Sequence, residues 1–309
     1  VQIMGSNKRL IPELKSVMSL IRFRNIVIGS ATVLTGSFVT IQVPWNNELI
    51  LNVILQMISV ASFMAAGNIL NDIMDIEIDK ISHPLRSLPS EKVSIKQAWY
   101  LVILFSIISI FSALYGAYLL NKIGMKWIPL VIIWIISFTL MVSYEIGPKT
   151  KKYGYIGNMI IGGMLGLVII YGGATVGKYD YSITLCIALM ATFIGISREI
   201  IKDVHDHEGD LKGGRKTFPI LIGKNKSRQL AYIFVLLGVI SIMLPFMFSW
   251  GDLEYWMIMF QGPTMYVLLS LNGPMSTGND KKSINSLLIS MVLGLIGFFL
   301  LNLLLPYIN

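Results

Sequence analysis

Nine stretches of this chain stay apolar for the width of a bilayer, near residues 17–40, 49–70, 97–120, 127–145, 156–177, 181–201, 229–249, 254–272 and 284–307. A hydrocarbon core about 30 Å thick is crossed by about 20 apolar residues in a helix. The composition agrees. Of 309 residues, 54% are hydrophobic and 14% charged, where a soluble domain carries roughly a quarter charged. Mean hydropathy is +0.69. The expected fold is an all-α integral membrane bundle of nine transmembrane helices, one domain over residues 1–309. Gly262-Pro263 should kink the eighth helix. Residues 1–16 are polar and basic and do not follow the pattern of a cleavable signal. The lone Cys186 has no partner for an internal disulfide, so packing must hold the fold.

The basic residues orient the bundle. Eighteen Lys and Arg fall in the N-terminal segment and in the loops after helices 2, 4, 6 and 8, against three in the opposite loops. The positive-inside rule then places the N-terminus in the cytoplasm, in a multi-pass protein of the cell membrane. The net charge of +8 is accounted for by this asymmetry, and a nucleic-acid partner is not expected.

Against that background two acidic stretches stand out. "NDIMDIEIDK" places Asp72, Asp75 and Asp79 at i, i+3, i+7, and "KDVHDHEGDL" repeats the spacing with Asp203, Asp206 and Asp210, each 131 residues further on. Each triplet ends an apolar run, and both runs have the same orientation, which makes a pseudo-repeat. On a helix the spacing puts three carboxylates on one face. Asn68 and Asn71 continue the first face, and Glu199 continues the second. Like charges so spaced repel, and a carboxylate costs about 2.5–3.5 kcal/mol at a bilayer's centre and less at its edge. A compensating cation is needed at both places. Oxygen-only ligands favour a hard ion, and Mg²⁺ commonly joins one or two carboxylates to substrate phosphates. The pair therefore reads as a diphosphate site on the cytoplasmic side. The ligand set would be Asn71, Asp72, Asp75, Asp79, Asp203, Asp206 and Asp210.

The stretches "NILNDIMDIEIDKISHPLRSLPS" and "REIIKDVHDHEGDLKGGRKTFPI" resemble the two aspartate-rich motifs of the UbiA-type intramembrane prenyltransferases. The second, with its R-E-I-I-K-D run and T-x-P-I, is most similar to the archaeal branch that makes digeranylgeranylglyceryl phosphate. The resemblance implies an Mg²⁺-dependent enzyme that transfers a geranylgeranyl group from its diphosphate to the hydroxyl of geranylgeranylglyceryl phosphate. Its partners would be the isoprenyl diphosphate donor, the lipid acceptor and the bilayer. Asp72, Asp75, Asp203 and Asp206 would be catalytic. Arg22, Asn68, Asn71, Arg86, Tyr144, Lys149, Lys202 and Arg215 would bind substrate. The family's Tyr-x-x-x-Lys element is matched here by Tyr144 and Lys149 with one residue too many between them, and Lys151 and Lys152 compete for that role.

Other signals carry less. "GGATVGKY" contains G-x-x-x-x-G-K but lacks the following Ser or Thr and a preceding strand. His205 and His207 flank Asp206 at i, i+2, which points them apart, and no Cys supports zinc. Gly162 and Gly166 suit close helix contact. An aromatic acceptor, as in quinone or haem synthesis, is the alternative within the family. A transporter with a parallel repeat is the alternative outside it.

Overall fold

The computed structural model describes residues 13–40, 44–177, 182–247 and 254–308. Among these, the regular structure is entirely helical. In chain order the helices are α1 (Leu14–Leu20), α2 (Phe23–Thr40), α3 (Asn47–Met74), α4 (Ile76–Ser82) and α5 (Ile95–Lys122). They continue with α6 (Ile128–Glu145), α7 (Gly154–Ala174), α8 (Ser182–His205), α9 (His207–Lys212) and α10 (Phe218–Ile222). The last four are α11 (Lys224–Met247), α12 (Glu254–Ser270), α13 (Asn272–Ser276) and α14 (Asp280–Ile308). A single 3₁₀ turn, Thr150–Lys152, lies between α6 and α7.

Seven of the described helices, α3, α5, α6, α7, α8, α11 and α14, are long and apolar enough to cross a bilayer. The first expected span is two pieces, α1 and α2, which meet at 59° and together pass as an eighth. The corner is Arg22, a non-glycine residue at φ +55°. The expected eighth span, α12, is continuous through Pro263. Its 17 described residues reach about 26 Å at the helical rise.

Local sequence explains the helix starts. The Asn46 side chain accepts from the Leu49 N–H at 2.8 Å and caps α3. Ser94 and Gln97 form a capping box on α5. Outward faces are apolar: Ile103, Ile107, Phe111 and Leu114 on α5 are each more than half exposed, as a lipid-facing stripe requires. Inward faces are small or polar. Gly36 on α2 meets the Ile169 carbonyl on α7, and Gly172 on α7 meets that of Val33, so these backbones touch where any side chain would collide. Gly162 and Gly166 meet α8 in the same way, as the sequence led one to expect. A buried polar chain then ties the helices together. Asn52 donates to the Thr175 carbonyl at 2.6 Å, Gln56 to Asn52 at 2.9 Å, and the Thr40 and Thr184 hydroxyls hydrogen-bond at 2.6 Å. Of the glycine-rich "GGATVGKY", the first six residues end α7 and its following turn, and Lys178 and Tyr179 lie outside the described residues.

The pseudo-repeat persists in the backbone. α3 is interrupted at Asp75 (φ −100°, ψ 8°) and α8 at Asp206 (φ −92°, ψ 10°). Both breaks fall on the second carboxylate of a triplet. Neither triplet therefore lies on a single helix, as the spacing implies it should. The short helices α4 and α9 carry Asp79 and Asp210 to separate arginines.

Candidate active site

Between α2, α3, α6, α7 and α8 lies a cavity of about 930 Å³. Its lining changes character along α3, from Val60, Phe63 and Met64 to Asn68, Asn71 and Asp75. The polar end gathers Asp75, Asp79, Asp203, Asp206 and Asp210 from both motifs. The other end is apolar, with Trp134, Met141, Met164, Leu288 and Met291 among its walls.

The first motif is saturated with cations. Arg22 donates to Asp72 Oδ1 at 2.8 Å and to Asn71 Oδ1 at 3.2 Å. Asn68 donates to the Ile21 carbonyl at 2.8 Å, so it fixes the corner that carries Arg22. Asp75 receives Lys151 at 2.9 Å and Arg215 at 3.3 Å. Arg86 grips both oxygens of Asp79, at 2.9 and 2.7 Å. Asp72 differs from its twin. It is buried and absent from the cavity wall, where Arg22 stands in its place.

The second motif is poorer in partners. Asp203 lines the cavity, and its Oδ2 accepts from the amide of Asn158 at 2.9 Å. The Asp206 side chain has no hydrogen-bond or ion-pair partner among the described residues. Arg215 spans the motifs, from Asp75 to Asp210 at 3.3 Å each. Burial pushes the Asp210 carboxyl above the usual carboxylate range, against the pull of Arg215. Burial also pulls the Arg215 guanidinium down, but Asp75 and Asp210 outweigh it and hold it above its ordinary value. Lys202 and Arg198 both pair with Glu199, at 2.6 and 3.2 Å.

Most of the expected substrate-binding residues line the cavity: Arg22, Asn68, Asn71, Arg86, Tyr144, Lys202 and Arg215. Lys149 does not. It sits exposed in the turn after α6 at φ +50°, and the following 3₁₀ turn brings Lys151 to the wall instead. Sequence reasoning missed Glu145, buried and joined to Lys151 at 2.6 Å and Asn71 at 2.8 Å. It also missed Asn158. A lone amide in the apolar run "GYIGNMIIGG" is the kind of intramembrane polar residue that marks function. His205 lines the cavity mouth and His207 does not, so they form no zinc pair.

The donors fit a hard divalent cation. All are oxygens, and among the described residues the Asp203 and Asp206 carboxylates pair with no cationic side chain. No three of the described carboxylates or imidazoles converge closely enough to hold an ion alone. Mg²⁺ usually takes one or two carboxylates and completes its shell with water and substrate phosphate.

The chain belongs to the UbiA prenyltransferase family, whose model matches residues 30–280. It is a multi-pass membrane enzyme of prenyl transfer. It is 35% identical over 84% of its length to the digeranylgeranylglyceryl phosphate synthase of Methanococcus aeolicus, covering 84% of that protein. With the synthase of the same name from Saccharolobus solfataricus it shares 31% identity, over 93% of this chain and 96% of that one. A solved structure described as a digeranylgeranylglyceryl phosphate synthase superposes with a TM-score of 0.70 at 30% identity, over 94% of this chain and 98% of that one. A UbiA homologue from Archaeoglobus fulgidus bound to DMAPP and Mg²⁺ has the same fold, with a TM-score of 0.67 at 16% identity over 92% and 99%.

Proposed function

We propose that the protein transfers a geranylgeranyl group from geranylgeranyl diphosphate to the free hydroxyl of geranylgeranylglyceryl phosphate, releasing diphosphate. The observation that carries this is the single cavity with two ends. Its charged end collects both carboxylate motifs, and its apolar end offers a path for an isoprenoid tail. The acceptor comes from relatives at 31–36% identity that are synthases of digeranylgeranylglyceryl phosphate.

In the reaction the C1–O bond of the allylic diphosphate breaks and its electron pair leaves with the diphosphate. The glycerol hydroxyl oxygen bonds to C1 and gives up its proton. Asp75, Asp79, Asp203 and Asp206, with Asn71, would hold Mg²⁺, which supplies Lewis-acid stabilisation of the leaving group. Arg86, Lys151 and Arg215 add fixed positive charge beside the diphosphate. Asp203 Oδ1, which has no hydrogen-bond partner among the described residues, is placed to take the hydroxyl proton. Asp72, neutralised by Arg22 behind the wall, is not. The apolar walls keep water from an electron-poor allylic carbon.

The reading includes one membrane domain over residues 1–309, nine spans with α12 as the eighth, a cytoplasmic N-terminus and a site facing the cytoplasm. The charge asymmetry of the loops supports the orientation. The test is a competition with labelled geranylgeranyl diphosphate and equal geranylgeranylglyceryl phosphate and 4-hydroxybenzoate. Label in the diether lipid is expected, and label mainly in the aromatic product would overturn the acceptor.

A further inference from the structure

The two halves of the site depart from their repeat at three positions on the cavity wall. Where α3 has Gly67, Asn68 and Asn71, α8 has Arg198, Glu199 and Lys202, each 131 residues on. All six line the cavity. The neutral face of α3 has thus become a face with two cations and one carboxylate. Arg198 and Lys202 stand one helical turn apart, and both lean on Glu199. Among the described residues Glu199 is the only carboxylate that either cation pairs with, so both keep donors for a further acceptor. Arg198 is also incompletely bonded. Its Nη1 donates to Glu199, and its Nε is buried with no hydrogen-bond partner among the described residues. A buried, unpaired guanidinium N–H is costly unless an acceptor arrives. The cations beside the first motif differ. Arg22, Arg86, Lys151 and Arg215 are each bound to a motif aspartate.

We infer that Arg198 and Lys202 form a separate anion site on α8 that receives the phosphate of the acceptor, Glu199 holding both cations in place. This rests on the proposed reaction and assigns one part of its specificity. A guanidinium offers a planar fork to a phosphate, and an ammonium one turn away adds a point charge. The site stands on the helix that carries Asp203, so an acceptor anchored here brings its glycerol hydroxyl to the half of the cavity where the unpaired carboxylate oxygen lies. The donor's diphosphate is left to the cations of the first motif.

The test compares purified full-length wild type, Arg198→Met and Lys202→Met with Mg²⁺. The acceptors are geranylgeranylglyceryl phosphate and its phosphate-free analogue geranylgeranylglycerol. In both variants the ratio of kcat/KM for the phosphorylated over the phosphate-free acceptor should fall by about 10-fold or more, with the KM of the donor little changed. Arg198→Lys should recover part of that ratio. An unchanged ratio with a raised donor KM would overturn the proposal and give these cations to the diphosphate. Should a variant be too unstable to assay, the wild type decides. Glycerol phosphate should inhibit competitively against the acceptor, and competition against the donor overturns the site. Binding of labelled geranylgeranylglyceryl phosphate without donor, strong to wild type and weakened in Arg198→Lys, reads the site even if no prenyl transfer occurs. Equal binding to both would reject it.

Discussion

At the end of α3 all three aspartates meet an arginine or lysine, whereas at the end of α8, among the described residues, Asp203 meets only an amide and Asp206 meets no side chain. Both helices are interrupted at the second carboxylate, at nearly the same φ and ψ. In one half every motif carboxylate is therefore paired with a cation, and in the other Asp203 and Asp206 are not, among the described residues. In the proposed chemistry the difference would divide the labour of a diphosphate site. The first half would supply fixed cations for phosphate oxygens. The second half would supply Asp203 and Asp206, which with Asp75, Asp79 and Asn71 would hold the divalent ion, and Asp203 Oδ1 would take the proton. A repeat accounts for the symmetry of the site in outline, and divergence at single positions would let it treat donor and acceptor differently.

The largest effects should come from removing the oxygens that the halves share. Asp75→Ala and Asp206→Ala should each reduce turnover to the floor of the assay, with helical content in detergent retained by circular dichroism. Near wild-type turnover in either variant would break the idea of one joint site. Removal of divalent ions by exhaustive chelation should have the same effect. Mg²⁺ should restore activity and Zn²⁺ should not, because the donors are all oxygen. Full activity after chelation would mean that the fixed cations suffice and the second half needs no ion.

The first-position aspartates sharpen the comparison. Asp203→Asn keeps the shape of the side chain but removes the free acceptor, and should lower kcat by about 10²–10⁴-fold. Asp72→Asn should cost less and act mainly on donor KM, through the loosened Arg22. Equal losses of kcat would show that the halves are used alike. The lysines after α6 give a further contrast. Lys151→Ala should raise donor KM by about 10-fold or more, and Lys149→Ala should stay within about 2-fold, as an exposed surface change does.

The parts of this site that were legible in the sequence are those that local spacing encodes. The apolar runs became helices, the two triplets came to one cavity with Asp72 alone behind its wall, and Arg22, Arg86 and Arg215 joined them. Hydropathy and a repeat at fixed offset require no knowledge of packing. What was not legible depends on contacts across the bundle or on one backbone angle. Lys151 displaces Lys149 because Lys149 takes a left-handed conformation and a 3₁₀ turn follows. Asp72 leaves the wall because Arg22, 50 residues earlier, covers it. Glu145 reaches Asn71 across 74 residues, and Asn158 reaches Asp203 across 45. The breaks at Asp75 and Asp206 carry neither glycine nor proline, so helix periodicity alone runs straight through them.

The smallest expected effect concerns the amides that stand behind each half. Asn158 donates to Asp203 Oδ2, and Asn68 donates to the Ile21 carbonyl beside Arg22. Neither would touch a reacting atom in the proposed chemistry, yet each fixes a group that would. Partners of this kind typically contribute about 10–100-fold. Asn158→Ala leaves one oxygen of Asp203 without its donor, so the carboxylate can turn away from its working position. The expected result is a kcat lower by about 10-fold with donor KM nearly unchanged. Asn68→Ala frees the corner between α1 and α2, so Arg22 loses its fixed approach to Asn71 and Asp72. There the expected result is the reverse, a raised donor KM and a nearly unchanged kcat. If both variants shift the same parameter, the two halves do not divide binding from proton transfer. The asymmetry of their ion pairs would then be a matter of folding, which a matched loss of thermal stability in both variants would reveal.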